Sequence, residues 1–210
     1  NYSLYSSSRG FAIDISSPVI VQLLSPPNDT RTSSTTTTFE WSVAEDSGPA
    51  GIYGYEIYIS TSSDFSVWSS SGFITTSSQT FQLSQSLYYW RVRTLDRAGN
   101  YSLSVSSEIT IDTTRPYVVN NQSGDDNWRV VSDVYDVDFY DTPSVNGAGL
   151  AYAQYAIYSA TNSAGSSAGS QLVDWQNIFN YTLPSRATYY NTNWDLTSVW
   201  DDLRQGYNFI

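Results

Sequence analysis

The segment Phe11-Ala-Ile-Asp-Ile-Ser-Ser-Pro18 returns further along the chain as Ile109-Thr-Ile-Asp-Thr-Thr-Arg-Pro116. In each copy apolar residues alternate, then come Asp and, four residues later, Pro. Alternation with a period of two marks a half-buried strand. Proline has no N–H to donate, so it stops a ladder. Each copy therefore reads as the closing strand of a sheet followed by a domain boundary. An interval of about 100 residues is the length of one β-sandwich. The repeat thus confines one domain to residues 17–113 and leaves 114–210 for a second.

The interval between the two copies reads as a succession of short strands. Val19–Leu24 is stopped by Ser25-Pro26-Pro27-Asn28-Asp29, and Thr37–Val43 sets Phe39 and Trp41 on one face. A loop dense in turn residues, Glu45–Gly51, leads to the alternating run Tyr53–Ser60. Extended segments around Trp68–Thr76 and at Thr80–Leu83 precede Tyr88–Thr94, which ends in the turn Asp96-Arg97-Ala98-Gly99-Asn100. Val105–Asp112 closes the set. The apolar content suits this reading, because 18 Tyr, 7 Trp and 8 Phe are residues that fit pleated, half-buried surfaces. Many short strands at this spacing imply an all-β chain of two tandem sandwiches.

Phe39-Glu-Trp41, Gly54-Tyr-Glu-Ile-Tyr-Ile59, Tyr88-Tyr-Trp-Arg-Val-Arg93 and Asp96-Arg-Ala-Gly-Asn100 together resemble fibronectin type III and related bacterial immunoglobulin-like modules of cell-surface proteins. The resemblance covers about residues 17–113. It implies a spacer, stalk or adhesin role and an extracellular or cell-surface location. It also implies that Tyr88 is the corner tyrosine whose hydroxyl ties back to the backbone.

Residues 114–210 read as a second immunoglobulin-like sandwich. Strands are expected at Tyr117–Asn120, Tyr135–Tyr140 and Ala151–Ala160, followed by a small-residue loop, Thr161–Ser170. Further extended segments fall at Val173–Phe179 and Ala187–Leu196, and a short helix at Ser198–Arg204 would turn Trp200 and Leu203 inward. The stretches Asn120–Trp128 and Tyr135–Phe139 are similar to modules of large bacterial tandem-repeat surface proteins.

This second domain lacks its final strands, because nothing after Ile210 matches Val92–Asp112. Matching material stands in residues 1–16. Asn1–Tyr5 can extend a strand that reaches Ile210, with Tyr2 and Leu4 continuing its inward face; Phe11, Ile13 and Ile15 can then close the sheet. A register slip of one residue would reverse every side chain, and the alternation survives this junction. Residues 1–16 are accordingly expected to complete the second domain of a neighbouring copy, with Tyr207, Phe209 and Ile210 as the acceptor edge. The chain is expected to be a processed or excerpted segment. Two realisations stay open: a covalent tandem array, or separate subunits exchanging strands head to tail.

Composition excludes several functions. All nine basic residues are Arg, and Lys, His, Cys and Met are absent. There is therefore no imidazole base, no cysteine nucleophile, no thiolate or imidazole metal site, no Schiff-base lysine and no disulfide. A net charge of −11 argues against a nucleic-acid partner, whose phosphates require clustered cations. No apolar run approaches the roughly 20 residues of a membrane span.

Acidic groups are the remaining candidates for chemistry. Asp136 and Asp138 share one strand face, and Asp14 and Asp112 precede the domain boundaries, where a calcium ion can stiffen a stalk. Asp125 and Asp126 are adjacent. None of them has the spacing of a dedicated calcium loop, and no cofactor is called for. Glu40 and Glu56 fall on strand exteriors, where solvation is the expected role, so no catalytic pair is formed and no enzyme is expected. Asn28, Asn100, Asn121 and Asn180 each open an Asn-x-Ser/Thr triplet and are candidate glycan carriers. Trp41 and Trp90 belong to the core, while an exposed row of aromatic residues would point to a carbohydrate platform.

The reading is thus a structural repeat unit of an extracellular filament, sheath or stalk, with other copies of itself as partners. The alternative is an adhesin or carbohydrate-binding module of a larger surface protein.

Overall fold

The computed structural model describes residues 10–122, 128–160, 168–182, 186–203, 205 and 207–210. The chain divides after Asp112 into two units.

In the first unit the strands are β1 (Leu23–Ser25), β2 (Thr30–Thr32), β3 (Thr36–Trp41), β4 (Ile52–Ser60), β5 (Ser69–Ser70), β6 (Ser78–Gln82), β7 (Ser86–Asp96), β8 (Tyr101–Leu103) and β9 (Ser107–Ile111). One sheet has the order β1-β3-β6 and the other β2-β9-β7-β4-β5, with β8 also on β7. The chain crosses between sheets at β1–β2, β2–β3, β3–β4, β5–β6 and β6–β7, and β2 runs parallel to β9. This is the immunoglobulin/fibronectin III-like sandwich.

Side-chain alternation explains why these strands face each other. Along β3, Thr37, Phe39 and Trp41 turn inward, and along β7 Trp90, Val92, Thr94 and Asp96 are buried. Phe39, Trp41, Trp90 and Val92 meet Val21, Tyr55, Ile57, Ile59, Ile109 and Ile111 in one core. The Phe39 and Trp90 rings lie 4.9 Å apart edge to face, and Trp41 and Tyr55 lie 5.7 Å apart. Such pairs add about 0.5–1.5 kcal/mol beyond simple burial. The hydroxyl-to-backbone tie of this core belongs to Tyr55, which accepts the Ala44 N–H at 2.8 Å. Tyr88 instead packs against the core from its margin.

The second unit repeats part of this scheme. Its strands are β10 (Tyr117–Asn120), β11 (Val134–Tyr135), β12 (Val137–Tyr140), β13 (Tyr152–Ala160), β14 (Ala168–Asn180), β15 (Tyr189–Tyr190), β16 (Trp194–Asp195) and β17 (Tyr207–Phe209), with a 3-10 helix at Thr197–Asp202. The sheets are β10-β12-β15, β14-β13-β17 and the pair β11-β16. Phe139 and Tyr190 from the first sheet pack on Ala153 and Phe179 of the second. Around Tyr155, Ile157 and Val173 the core is filled by Leu196 and Val199, with Trp200 and Leu203 packed against it. Ser170, expected in a loop, lies instead in β14, and residues 161–167 of that loop fall outside the described residues.

Six strands of the second unit, β10, β12, β13, β14, β15 and β17, take the sheet positions of β1, β3, β4, β5, β6 and β7. Gly54-Tyr-Glu-Ile-Tyr-Ile-Ser60 of β4 aligns with Gln154-Tyr-Ala-Ile-Tyr-Ser-Ala160 of β13. β4 pairs with β7 through Tyr58↔Arg91, Ile59↔Trp90 and Ser60↔Tyr89. β13 pairs with β17 through Tyr158↔Phe209, Ser159↔Asn208 and Ala160↔Tyr207. Tyr207, Asn208 and Phe209 therefore occupy the places of Tyr89, Trp90 and Arg91.

Candidate functional site

β7 lies between β4 and β9, whereas β17 has β13 on one side and no strand on the other among the described residues. The register places Ile210 where the first unit has Val92. Val92 is 0 % exposed and Ile210 is 52 % exposed.

The counterpart of this edge is the leading segment. Phe11, Ile13 and Ile15 are 88 %, 71 % and 86 % exposed and belong to no strand. The counterparts of Phe11 and Ile13, Ile109 and Ile111, are fully buried on β9, while Thr113, the counterpart of Ile15, is exposed. Tyr2 and Leu4 lie outside the described residues. Of the acceptor residues, Phe209 is half-buried and Tyr207 is exposed.

Asp14 holds this segment to the first unit. Its Oδ2 accepts the Ala50 N–H at 2.8 Å and its Oδ1 the Ser16 N–H at 2.9 Å, while Asn100 Nδ2 donates to its backbone carbonyl at 3.2 Å. Carboxylate oxygens of Asp14, Asp46 and Asp96 come within 4.8 Å of one another. Asp46 binds the Gly48 and Gly51 N–H groups. Asp96 accepts the N–H groups of Ala98 and Asn100 and the Asn100 amide. Burial opposes ionisation of Asp96, but the bonds from Asn100, Gly99 and Ala98 outweigh it and hold the carboxyl below its ordinary value. Three such carboxylates can supply part of the about six to eight oxygens a calcium ion takes. A Cβ at Gly48 would run into the Asp14 carboxylate, so this glycine permits the approach.

The other acidic candidates are placed differently. Asp136 and Asp138 share the amide of Asn121, at 3.1 and 2.9 Å. Asp112 is buried at the end of β9, and its N–H donates to the Thr32 carbonyl at 2.9 Å. Asp125 and Asp126 lie outside the described residues. Among the glycan candidates, Asn100 and Asn121 donate their amide nitrogens to these carboxylates. Asn28 accepts the Glu108 N–H at 3.0 Å, and Asn180 is exposed at the end of β14.

Glu56 departs from expectation. It is buried, not solvated, because residues 65–73 fold over the outer face of β4 and β7. Tyr58 Oη and Ser70 Oγ donate to its carboxylate at 2.9 and 2.8 Å, and Arg93 lies at 3.6 Å. Burial first, and then the Glu56 carboxylate, push the Tyr58 hydroxyl above its ordinary value. Arg91 stacks over Phe65 at 4.0 Å and Arg93 over Tyr101 at 4.6 Å. Tyr53, Trp68, Phe73 and Tyr101 stay about half exposed on this face.

Two features were missed from sequence. Asp46 and Asp96 lie in separate loops, and only folding brings them to Asp14. The second was readable: Asn1-Tyr2-Ser3-Leu4 repeats Asn100-Tyr101-Ser102-Leu103, which includes β8, so Asn1 matches Asn100 and not the position directly after Val92 that the expected continuation from Ile210 requires.

No protein-family model matches the chain, and no curated protein matches it. Among solved structures it is similar to the fibronectin(III)-like modules of Clostridium thermocellum CbhA, at 13% identity and a TM-score of 0.40, over 83% of this chain and 78% of that one. The fold assignment rests on strand order and core: the chain is all-β, built of immunoglobulin/fibronectin III-like sandwiches.

Proposed function

We propose that the chain is a structural repeat unit of an extracellular filament, sheath or surface stalk, in which sandwiches are joined head to tail. The observation that supports this reading most is the leading segment. Phe11–Ile15 has the sequence of a closing strand, yet Phe11 and Ile13 are exposed where their counterparts Ile109 and Ile111 are buried. With Asn1–Leu4 it repeats the last two strands of the first sandwich, β8 and β9. In this reading the last strands of one sandwich lead directly into the next, and Asp14 at the junction fastens the incoming backbone to the loops of the sandwich that follows. Calcium at Asp14, Asp46 and Asp96 would stiffen that junction.

Electron micrographs of the native material test the proposal. Linear filaments with a two-sandwich repeat are expected, and discrete globular particles contradict it. Chain mass after denaturation without proteolysis separates the two linkages. Subunits near 23.4 kDa mean strand exchange, and a much longer chain means a covalent array.

The exposed Tyr53, Trp68, Phe73 and Tyr101 favour a second reading, a carbohydrate-binding or adhesive module, since sugars stack on such rings. Retention on immobilised polysaccharide, lost when Tyr53, Phe73 and Tyr101 become Ala, is its test.

A further inference from the structure

We propose that the outer face of β4, β7 and β8 binds an uncharged hexopyranose polymer, which stacks on Tyr53, Phe73 and Tyr101 with Arg93 between them. The inference rests on the carbohydrate-binding reading above and fixes the charge of the ligand and the rings it lies on.

The backbone brings these rings together. Tyr55, Ile57 and Ile59 of β4 turn into the core, so Gly54, Glu56 and Tyr58 turn outward. Gly54 has no side chain, and the Ile74 backbone comes close enough to exchange two bonds of 2.8 Å with Tyr55. That approach sets Phe73 beside Tyr53, with ring centroids 5.5 Å apart and planes at 76°. On the other side, β8 pairs with β7 through Arg93↔Leu103 and Leu95↔Tyr101. The Arg93 guanidinium lies 4.6 Å from the centre of the Tyr101 ring and 5.7 Å from that of Phe73. Tyr53, Phe73, Arg93 and Tyr101 thus form one row of contacts. Trp68 leans on Tyr58 instead, at 4.3 Å. The row is held before a ligand arrives, which lowers the ordering cost of binding.

Area and charge select the occupant. Tyr53, Phe73 and Tyr101 are 52 %, 44 % and 53 % exposed. An aromatic side chain buries about 150–250 Å² when fully covered, so the row offers roughly 200–400 Å². A stable protein interface takes about 800 Å² from each partner, whereas a sugar chain is narrow enough to lie on the row. The negative face of each ring attracts the C–H groups that a pyranose presents on one side. Arg93 already has a carboxylate, since Glu56 lies 3.6 Å away beneath the row. Arg91 is turned to Phe65, at 4.0 Å. An anionic polymer therefore finds its cation engaged, and a chain of net charge −11 repels it.

Native electrophoresis of the full chain through gels carrying hydroxyethylcellulose, galactomannan or polygalacturonate tests the proposal. At least one of the two uncharged polymers is expected to slow the chain, and polygalacturonate is not. Tyr101→Ala, and separately Tyr53→Ala with Phe73→Ala, are expected to abolish the slowing, while Tyr101→Phe keeps the ring and keeps the effect. The two Ala variants alter different elements, and circular dichroism checks that each is folded. Slowing by polygalacturonate alone overturns the uncharged ligand and leaves the carbohydrate reading standing. Slowing by an uncharged polymer that survives both Ala variants overturns the placement and also leaves that reading standing. If no polymer slows the chain, both fail.

Discussion

Asp14 Oδ2 accepts the backbone N–H of Ala50 at 2.8 Å. One carboxylate thus fastens a segment whose apolar side chains face solvent to a loop of the first sandwich. Replacing Asp14 by Ala removes the acceptor for both Ala50 and Ser16. A hydrogen bond to a charged group contributes about 1.5–3 kcal/mol. Exchange of the Ala50 amide is expected to quicken about tenfold or more, with the strand amides of β4 and β7 unchanged. Equal acceleration throughout the unit would show a general loss of stability instead.

Gly54 leaves no room for a side chain. A Cβ there would meet the Ile74 carbonyl oxygen at 2.6 Å, where Tyr55 and Ile74 exchange two backbone bonds of 2.8 Å. Gly54→Ala must push this strand pair apart, at a cost of about 1–3 kcal/mol. The denaturant midpoint of the first sandwich should fall accordingly, and an unchanged midpoint contradicts the close approach.

Trp90 fills the centre of the first core and meets Phe39 edge to face. Trp90→Ala should cost the first sandwich about 3–5 kcal/mol. A calorimetric scan should show its transition moved down, and the remaining structure of the second unit intact.

The pH response of the loop after β4 follows from Asp64. The Ser62 hydroxyl bond, then the Ser66 N–H, draw its carboxyl from 3.8 down to about 2. Its folded-state value is depressed, so its contribution to stability is fully present above 3.8 and is lost as pH falls through about 2. Following the carboxyl carbon by NMR should give a midpoint near 2, and Asp64→Asn should remove the acid response of neighbouring Phe65. A midpoint at the ordinary aspartate value contradicts the turn geometry.

How much of this was legible in sequence depended on the scale of each feature. Strands β3, β4 and β7 announced themselves through alternation, because one face of each meets a partner sheet, and β10 through its β-branched Val118 and Val119, although its residues are exposed. Trp41 and Trp90 were readable as core for the same reason. Glu56 was not, since alternation fixes which face a residue takes but not whether another segment covers that face. β5 has only Ser69 and Ser70, too short and polar for any periodic signal. The grouping of Asp14, Asp46 and Asp96 joins three distant stretches, and no local pattern encodes it. The likeness of Phe11–Pro18 to Ile109–Pro116 was legible because a closing strand keeps its alternation wherever it stands.

Sedimentation velocity over a range of concentrations, on the chain and on its Phe11→Asp/Ile13→Asp variant, tests the assembly most directly. Both residues are exposed in the single chain, so the variant should keep its circular dichroism. The account predicts head-to-tail species growing with concentration for the parent and monomers alone for the variant. A parent that stays monomeric at every concentration, or a variant that assembles equally well, would contradict it.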